Sequence, residues 1–356
     1  MRIAQVAPLY ESVPPKLYGG TERVVAYLTQ ELVRMGHDVT LFASGDSITP
    51  AKLVPIRARA LRLDPLVIDD LGPHMLQLER VLQQEADFDV VHFHHDCLHF
   101  LVCRRLGIPC VATLHGRLDQ PHMAPIYAEY RDVPLCAISS SQRGTLPDAA
   151  WCATVHHGLP LDLHCGVAEA GEYFAFLGRV SPEKGVDRAI EIAKRLGVPL
   201  KIAAKVDRRD AAFHSHKIAP LLDHPLIEFV GEIGEHDKGA FLGGARALLF
   251  PIDWPEPFGL VMVEAMACGT PVIAFDRGSV PELIDHGVTG FVVPDLETAV
   301  QAAARVGEID RELCRATFER RFSAARMARE YVAAYTQLIG RSSKVDLERE
   351  SREAAA

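Results

Sequence analysis

The sequence predicts an α/β chain of two doubly wound domains, each a parallel sheet covered by helices. Three observations lead there. A length of 356 residues suits two domains of roughly 100–200 residues. Short apolar runs alternate with amphipathic helical patterns nearly throughout, as β-α repetition requires. The alternation halts between Gly158 and Gly171, a stretch holding Gly, Pro and Asp, and then begins again.

In chain order, Ile3–Ala7 reads as a strand, and Val24, Leu28, Leu32 and Met35 mark one face of the helix that follows. Val39–Ala43, Val90–Phe93, Cys110–Leu114 and Leu135–Ile138 are further strands. In the second half Phe174–Leu177, Leu200–Ala203, Ile227–Val230, Ala247–Phe250, Val272–Phe275 and Gly290–Val293 read as strands. Val186–Leu196 is a helix, and another starts near Phe258. A break at Arg321-Phe322-Ser323 precedes a last helix, about Ala324 to Leu338. The expected organisation is a first doubly wound domain over 1–165, a second over 166–322, a helix over 323–340 packing back on the first domain, and a disordered polar tail over 341–356. Ligands in such sheets bind beyond the carboxyl ends of the strands, so a cleft between the domains is expected to hold the site.

Charge narrows the function. The chain has 38 basic and 47 acidic residues, a formal charge of −9; residues 1–165 carry 14 and 18 of these. Neither half is a basic module, which argues against nucleic-acid binding. No window of about 18 apolar residues offers a membrane span, and Pro8 cuts the N-terminal apolar run too early for a signal peptide. The segment Lys52 to Arg62 reads as a solvated loop or helix face, with contact to a membrane surface as the other reading. Eight cysteines without two-residue spacing suit buried thiols in a cytosolic protein.

Three motifs follow strands. The first is Glu256-Pro257-Phe258-Gly259-Leu260-Val261-Met262-Val263-Glu264. Amides of Phe258, Gly259, Leu260 and Val261 at a helix start suit a diphosphate. Glu256 can reach polar ligand groups. Glu264 lies two turns in among apolar neighbours, where a carboxylate needs partners such as ribose hydroxyls. The second is Gly178-Arg179-Val180-Ser181-Pro182-Glu183-Lys184-Gly185, whose Arg179 and Lys184 could neutralise two phosphate charges. The third is Gly19-Gly20-Thr21-Glu22, where backbone amides can approach a ligand; it lacks the dinucleotide fingerprint, which weakens a nicotinamide reading.

These motifs, with Thr113-Leu114-His115-Gly116 and Cys268-Gly269-Thr270-Pro271, resemble the retaining family-4 glycosyltransferases of the GT-B fold over nearly all of residues 1–340. The resemblance implies that Arg179 and Lys184 hold the donor diphosphate. It gives Glu256 to the transferred sugar, Glu264 to the ribose, and the amides from Phe258 to Val261 to sugar and phosphates. Gly19 and Gly20 would close from the other domain, His115 would lie near the reacting sugar, and the Gly231-Glu232-Ile233 turn would meet the nucleobase. Arg179, Lys184, Glu256 and His115 are thus the expected catalytic residues. Gly19, Gly20, Ile233, Phe258, Gly259, Leu260, Val261 and Glu264 are the expected donor-binding residues.

The implied activity is metal-independent hexosyl transfer with retention, by same-face attack, from a nucleotide diphosphate sugar to a hydroxyl. UDP-glucose is the first choice of donor and GDP-mannose the second. No cofactor is expected, because the nucleotide sugar is a co-substrate. The acceptor is open, soluble or lipid-linked. So is the oligomeric state. The expected location is the cytoplasm, with peripheral attachment at the inner membrane face left open. A GT-B nucleotide-sugar epimerase and a non-catalytic nucleotide-sugar binding protein are the rival readings.

Other patterns compete for chemistry. Asp87-Phe88-Asp89 resembles a metal motif, but it precedes its strand and lies at the wrong sheet edge. His92, His94, His95, Asp96 and His99 could suggest zinc; acceptor-side or structural roles fit better. His156-His157-Gly158 reads as packing at the domain junction. Ser139-Ser140-Ser141 reads as a helix cap, lacking the nucleophile elbow. Asp253 and Trp254 either shape the pocket or pack the loop.

Overall fold

Parallel strands buried on both faces read as continuous apolar runs, and the chain holds two sets of them. The structure, a computed structural model, describes residues 1–354 except 18, 65, 68, 107 and 165–168, with backbone alone at 63, 106 and 342–354. The first sheet contains β1 (Arg2–Val6), β2 (Asp38–Ala43), β3 (Lys52–Pro55), β4 (Val90–Phe93), β5 (Cys110–Thr113), β6 (Leu135–Ala137) and β7 (Trp151–Thr154). Its order is β3-β2-β1-β4-β5-β6-β7. The second contains β8 (Tyr173–Arg179), β9 (Leu200–Lys205), β10 (Ile227–Gly231), β11 (Ala245–Phe250), β12 (Val272–Phe275) and β13 (Gly290–Val293), in the order β10-β9-β8-β11-β12-β13. Every neighbouring pair is parallel. Strand order reverses at β1/β4 and at β8/β11, and a crevice for ligands opens at such a point.

Two compact units result. Unit 1 is Met1–Gly158 with Ala324–Ala356, and unit 2 is Leu159–Ser323. The division falls at Gly158/Leu159, ahead of the expected 165/166, which lies outside the described residues. Val6, Phe42, Val91, Phe93, Phe100 and Leu135 pack in the core of unit 1. Phe174, Phe176, Ile190, Ile202, Leu249 and Phe291 pack in that of unit 2. The crossover helix Val186–Leu196 turns Val186, Ala189, Ile190, Ile192 and Ala193 inward, as its 3.6-residue period requires.

Three local expectations change. Lys52–Pro55, read as loop or helix, is an edge strand: Lys52 is exposed and Leu53 and Val54 half-buried, so it lacks a buried strand's apolar run. Trp151–Thr154 is also a strand; it is half-buried throughout and lacks the Val/Ile/Leu-rich run of a strand covered on both faces. The last helix runs Ala324–Ala354, through most of the expected disordered tail. That stretch is rich in Arg and Glu, good helix formers, and holds neither Gly nor Pro after Gly340.

Arg311, at the start of the helix Arg311–Arg321, ties that helix to the sheet of unit 2. It donates to the Ala245 carbonyl at 2.9 Å, the Gly243 carbonyl at 2.6 Å and Thr270 Oγ1 at 2.9 Å. We expect Arg311→Ala to lower the unfolding free energy of unit 2 by at least about 2 kcal/mol, because charge-assisted bonds are lost together and acceptors are stranded. Urea titration followed by Trp254 fluorescence in a Trp151→Phe background measures it, since the chain's two tryptophans fall one to each unit.

Candidate active site

The carboxyl ends of β8 and β11 carry the two longest motifs, and bonds from a backbone amide and a guanidinium join the two loops. The Asp253 amide donates to the Glu183 carbonyl at 2.8 Å, and Arg188 Nε donates to the Pro251 carbonyl at 2.9 Å. This brings Lys184 to Glu256: Nζ lies 2.5 Å from Oε2. Trp254 Nε1 donates to the same oxygen at 2.8 Å, and the Lys184 ammonium sits 4.9 Å from the Trp254 ring centroid. Glu256 is 8% exposed, so two donors hold a nearly buried carboxylate.

Its backbone is fixed by an unusual neighbour. The Ser279 amide donates to the Glu256 carbonyl at 2.9 Å, and Ser279 Oγ donates to the Phe258 carbonyl at 2.8 Å. Gly278 passes so close, at φ +60°, that an added Cβ would stand 2.3 Å from the Glu256 nitrogen. Glycine alone permits that approach.

The helix after Glu256 spans Leu260–Ala267, two residues later than the expected start near Phe258. Gly259 is its N-cap in the left-handed region, φ 82°, a conformation that side chains resist. Leu260 and Val261 are therefore the first two helical residues, whose amides have no acceptor within their own helix. Glu264, 2% exposed, lies in the middle of that helix. Its partner is Lys238, whose Nζ donates to Glu264 Oε1 at 2.7 Å. Lys238 sits on the helix Glu235–Gly243, directly after the Gly231-Glu232-Ile233 turn. Ile233 is thus two residues from the helix that neutralises Glu264.

Arg179 is placed differently. Its guanidinium meets Glu183 at 2.5 Å, Asp210 at 3.4 Å and Asp207 at 3.7 Å. The structure joins Lys184 to Glu256 and gives Arg179 to carboxylates of its own loop and of the β9 exit.

In unit 1, Gly20 opens the helix Gly20–Arg34 with Gly19 as N-cap, and the Arg23 amide closes the first turn on the Gly19 carbonyl at 3.2 Å. His115 follows β5. Its Nε2 lies 2.9 Å from His94 Nδ1, and its ring stacks on His157 with centroids 5.2 Å apart. Burial holds the His115 imidazole down at about 3, and His95 also at about 3. His92, His94, His99 and His157 are likewise held well below the ordinary histidine range by burial first and neighbouring histidines second. Among the described residues no group of three or more His, Cys, Asp or Glu is arranged to hold a metal ion.

Other patterns find their places. Asp89 takes the Arg2 amide at 2.8 Å and the Arg2 guanidinium at 2.8 Å, anchoring the first strand. Ser139 Oγ caps its helix by accepting from the Gln142 amide at 3.0 Å. Arg326 donates to the His156 and His157 carbonyls at 2.8 and 3.0 Å, which uses their backbone as a dock for the last helix.

The family model "Glycosyl transferases group 1" matches residues 166–316, and "Glycosyltransferase Family 4" matches residues 18–137. The chain belongs to the family-4 glycosyltransferases of the GT-B fold. A phosphatidyl-myo-inositol mannosyltransferase of Mycobacterium tuberculosis is 24% identical, with 98% of this chain and 100% of that protein covered. The crystal structure of AviGT4, a glycosyltransferase involved in avilamycin A biosynthesis, matches with a TM-score of 0.70 at 25% identity, covering 96% of this chain and 98% of that one. The Anabaena protein HepE, solved with UDP and glucose, has the same fold, with a TM-score of 0.73 at 17% identity over 95% and 100% of the two chains.

Within this glycosyltransferase, sequence reasoning missed Lys238 and the bond from Trp254 to Glu256. A signal for Lys238 existed: a carboxylate as enclosed as Glu264 needs a cation, and Lys238 stands on the helix after β10. Nothing in the residue order alone aimed the Trp254 indole at Glu256.

Three outcomes are expected. Lys238→Met removes the cation paired with the buried Glu264 and destabilises unit 2 by about 3–5 kcal/mol; adding Glu264→Leu recovers most of that loss, both read by urea unfolding. Gly278→Ala displaces Glu256 and destabilises by more than about 1 kcal/mol, measured the same way. The buried neutral histidines make unit 1 acid-sensitive. Their pKa values are lower folded than unfolded, so the unfolded chain binds more protons below the unfolded value of about 6.5. Stability present above that pH is lost as pH falls toward 3. Trp151 fluorescence in a Trp254→Phe background should show the urea midpoint of unit 1 falling from pH 7.5 to pH 5.5.

Proposed function

We propose that this glycosyltransferase moves a hexosyl group, with retention at the anomeric carbon, from a nucleoside diphosphate sugar to a hydroxyl acceptor. The observation that carries the reading is the Lys184–Glu256 contact of 2.5 Å at the β8/β11 switch point, beside the start of the helix Leu260–Ala267. An ammonium, peptide amides and a carboxylate in one place match a diphosphate joined to a sugar.

In the proposed reaction the bond between the anomeric carbon and the diphosphate oxygen breaks, and charge builds on that oxygen. Lys184 and the amides of Leu260 and Val261 stabilise it with little reorganisation. Arg179 adds positive charge once the donor's phosphates compete with Glu183, Asp207 and Asp210 for its guanidinium. The acceptor hydroxyl attacks the same face, its oxygen bonds to the anomeric carbon, and its proton passes to the leaving diphosphate. Glu256 contacts the transferred sugar, Glu264 with Lys238 contacts the ribose, and the turn at Ile233 contacts the base. Phe258 and Gly259 line the donor's sugar and phosphates. Gly19, Gly20 and His115 are the proposed contributions of unit 1. Protein cations supply the charge a metal would otherwise bring, so the reaction is metal-independent in this reading.

UDP-glucose stands first as donor, supported by the UDP and glucose held in HepE, and GDP-mannose second, supported by the name of the mycobacterial relative. That name also makes inositol-containing acceptors, soluble or lipid-linked, the first to try. No helix among the described residues is long and apolar enough to cross a membrane. Seven free cysteines among those residues suit a reducing compartment, and the cytoplasm is the proposed location.

Incubation with a donor panel and an inositol acceptor panel, in chelator, tests the reading. Transfer with an unchanged anomeric configuration is the expected result. Lys184→Ala and Glu256→Ala should each lower kcat by about 10²–10³. Isomerised sugar from donor alone points to an epimerase, and donor binding without any turnover points to a binding protein; either overturns the proposal.

A further inference from the structure

We propose that Gln5, His94 and Tyr335 are positioning residues that fix His115 as its Nε2–H tautomer, so that Nδ1 is offered as a hydrogen-bond acceptor to a sugar hydroxyl. The ligand half of this inference rests on the sugar-transfer reading above; the proton order in the protein stands apart from it.

The argument runs along one buried chain of hydrogen bonds in unit 1. Gln5 Oε1 lies 2.8 Å from His94 Nε2. A carbonyl oxygen only accepts, so His94 Nε2 carries the proton. The His94 ring is neutral, because burial and its histidine neighbours disfavour the charged form. Its Nδ1 is therefore bare and accepts from His115 Nε2 at 2.9 Å. The neutral His115 ring has then spent its single proton. Its Nδ1 is buried and has no hydrogen-bond partner in the protein.

The other end of the chain fixes the Gln5 amide. Gln5 Nε2 donates to the Tyr335 hydroxyl at 3.1 Å, and that hydroxyl donates to His92 Nδ1 at 2.6 Å. His92 Nε2 donates to Thr113 Oγ1 at 2.7 Å, and Thr113 donates to the Tyr331 hydroxyl at 2.9 Å. Tyr331 in turn is hydrogen-bonded to Cys136, whose thiol donates to the Ala137 carbonyl at 3.6 Å. Cys136 is also hydrogen-bonded to Thr113, and the run ends on a backbone oxygen.

Turning the Gln5 amide over would reverse the bonds from Tyr331 to His115. It would place an N–H on His115 Nδ1, a buried donor with nothing to receive it. Orphaned buried N–H groups are rarer and costlier than under-used acceptors, so the order with bare Nδ1 prevails. An acceptor that burial leaves unanswered is answered by a ligand that brings a hydroxyl. Neutral and held at its other nitrogen by His94, His115 receives that group without losing or gaining a proton.

Nitrogen-15 NMR of the full chain with labelled histidines tests this, with His115 assigned by its loss in His115→Ala. In the ligand-free wild type the expected spectrum shows Nε2 protonated and Nδ1 unprotonated at His115. Tyr335→Phe keeps the packed ring but frees the Gln5 amide to turn. It should give a mixture of the two His115 tautomers and lower kcat at least about twofold, the loss when half the protein holds the wrong one. A protonated Nδ1 in the wild type overturns the proposal without any variant. An unchanged His115 spectrum in folded Tyr335→Phe overturns it as well. If no donor supports transfer in the wild type, the sugar-transfer reading falls, while the same spectrum still decides the proton order.

Discussion

Two carboxylates that water scarcely reaches, Glu256 and Glu264, set the terms for unit 2. A charge so enclosed must be met by another charge, and each meets one lysine. Lys184 comes from the loop after β8, and Lys238 from the helix after β10. Those two pairs draw three separate chain segments to one edge of the sheet. Gly278 and Gly259 are consequences of this gathering: a Cβ at Gly278 would collide with the Glu256 backbone, and Gly259 holds a left-handed φ that side chains resist.

Unit 1 solves a different problem with neutral groups. Its β1, β4 and β5 ends face one another with Gln5, His92, His94, Thr113 and His115, and the last helix closes them over with Tyr331 and Tyr335. Burial removes charge from the histidines, and each becomes one donor and one acceptor. Of the histidine cluster for which acceptor-side or structural roles were expected, His92 and His94 join this hydrogen-bonded core. The two units thus handle polar side chains by opposite means, ion pairing in one and shared protons in the other.

Much of this was legible in the residue order. The apolar runs of β1, β4, β5, β8, β11 and β12 are buried on both faces, so they declared themselves. The edge strands β3 and β7 did not, because these short half-buried segments lack the Val/Ile/Leu-rich run of a strand covered on both faces. Glu256, Glu264 and Lys184 were visible as motif members following strands. Lys238 was missed because its partner is 26 residues away on the following helix, and no spacing rule links one helix to the next. The competition for Arg179 was hidden too, since Asp207 and Asp210 enter from the β9 exit, a segment without a motif. Gln5 gave no signal at all: a polar residue inside the first strand looks like a flaw in an apolar run until its neighbours are known.

The last helix belongs to the first unit although it is the final piece of that unit to be made. During synthesis, the middle of the chain can finish its own core while the N-terminal sheet still waits for Tyr331 and Tyr335. Until they arrive, the histidines at its strand ends stand in water, free to take up protons, and the sheet is open on that side. The hydrogen-bonded cluster of the first unit can therefore close only once the chain has been made through Tyr335.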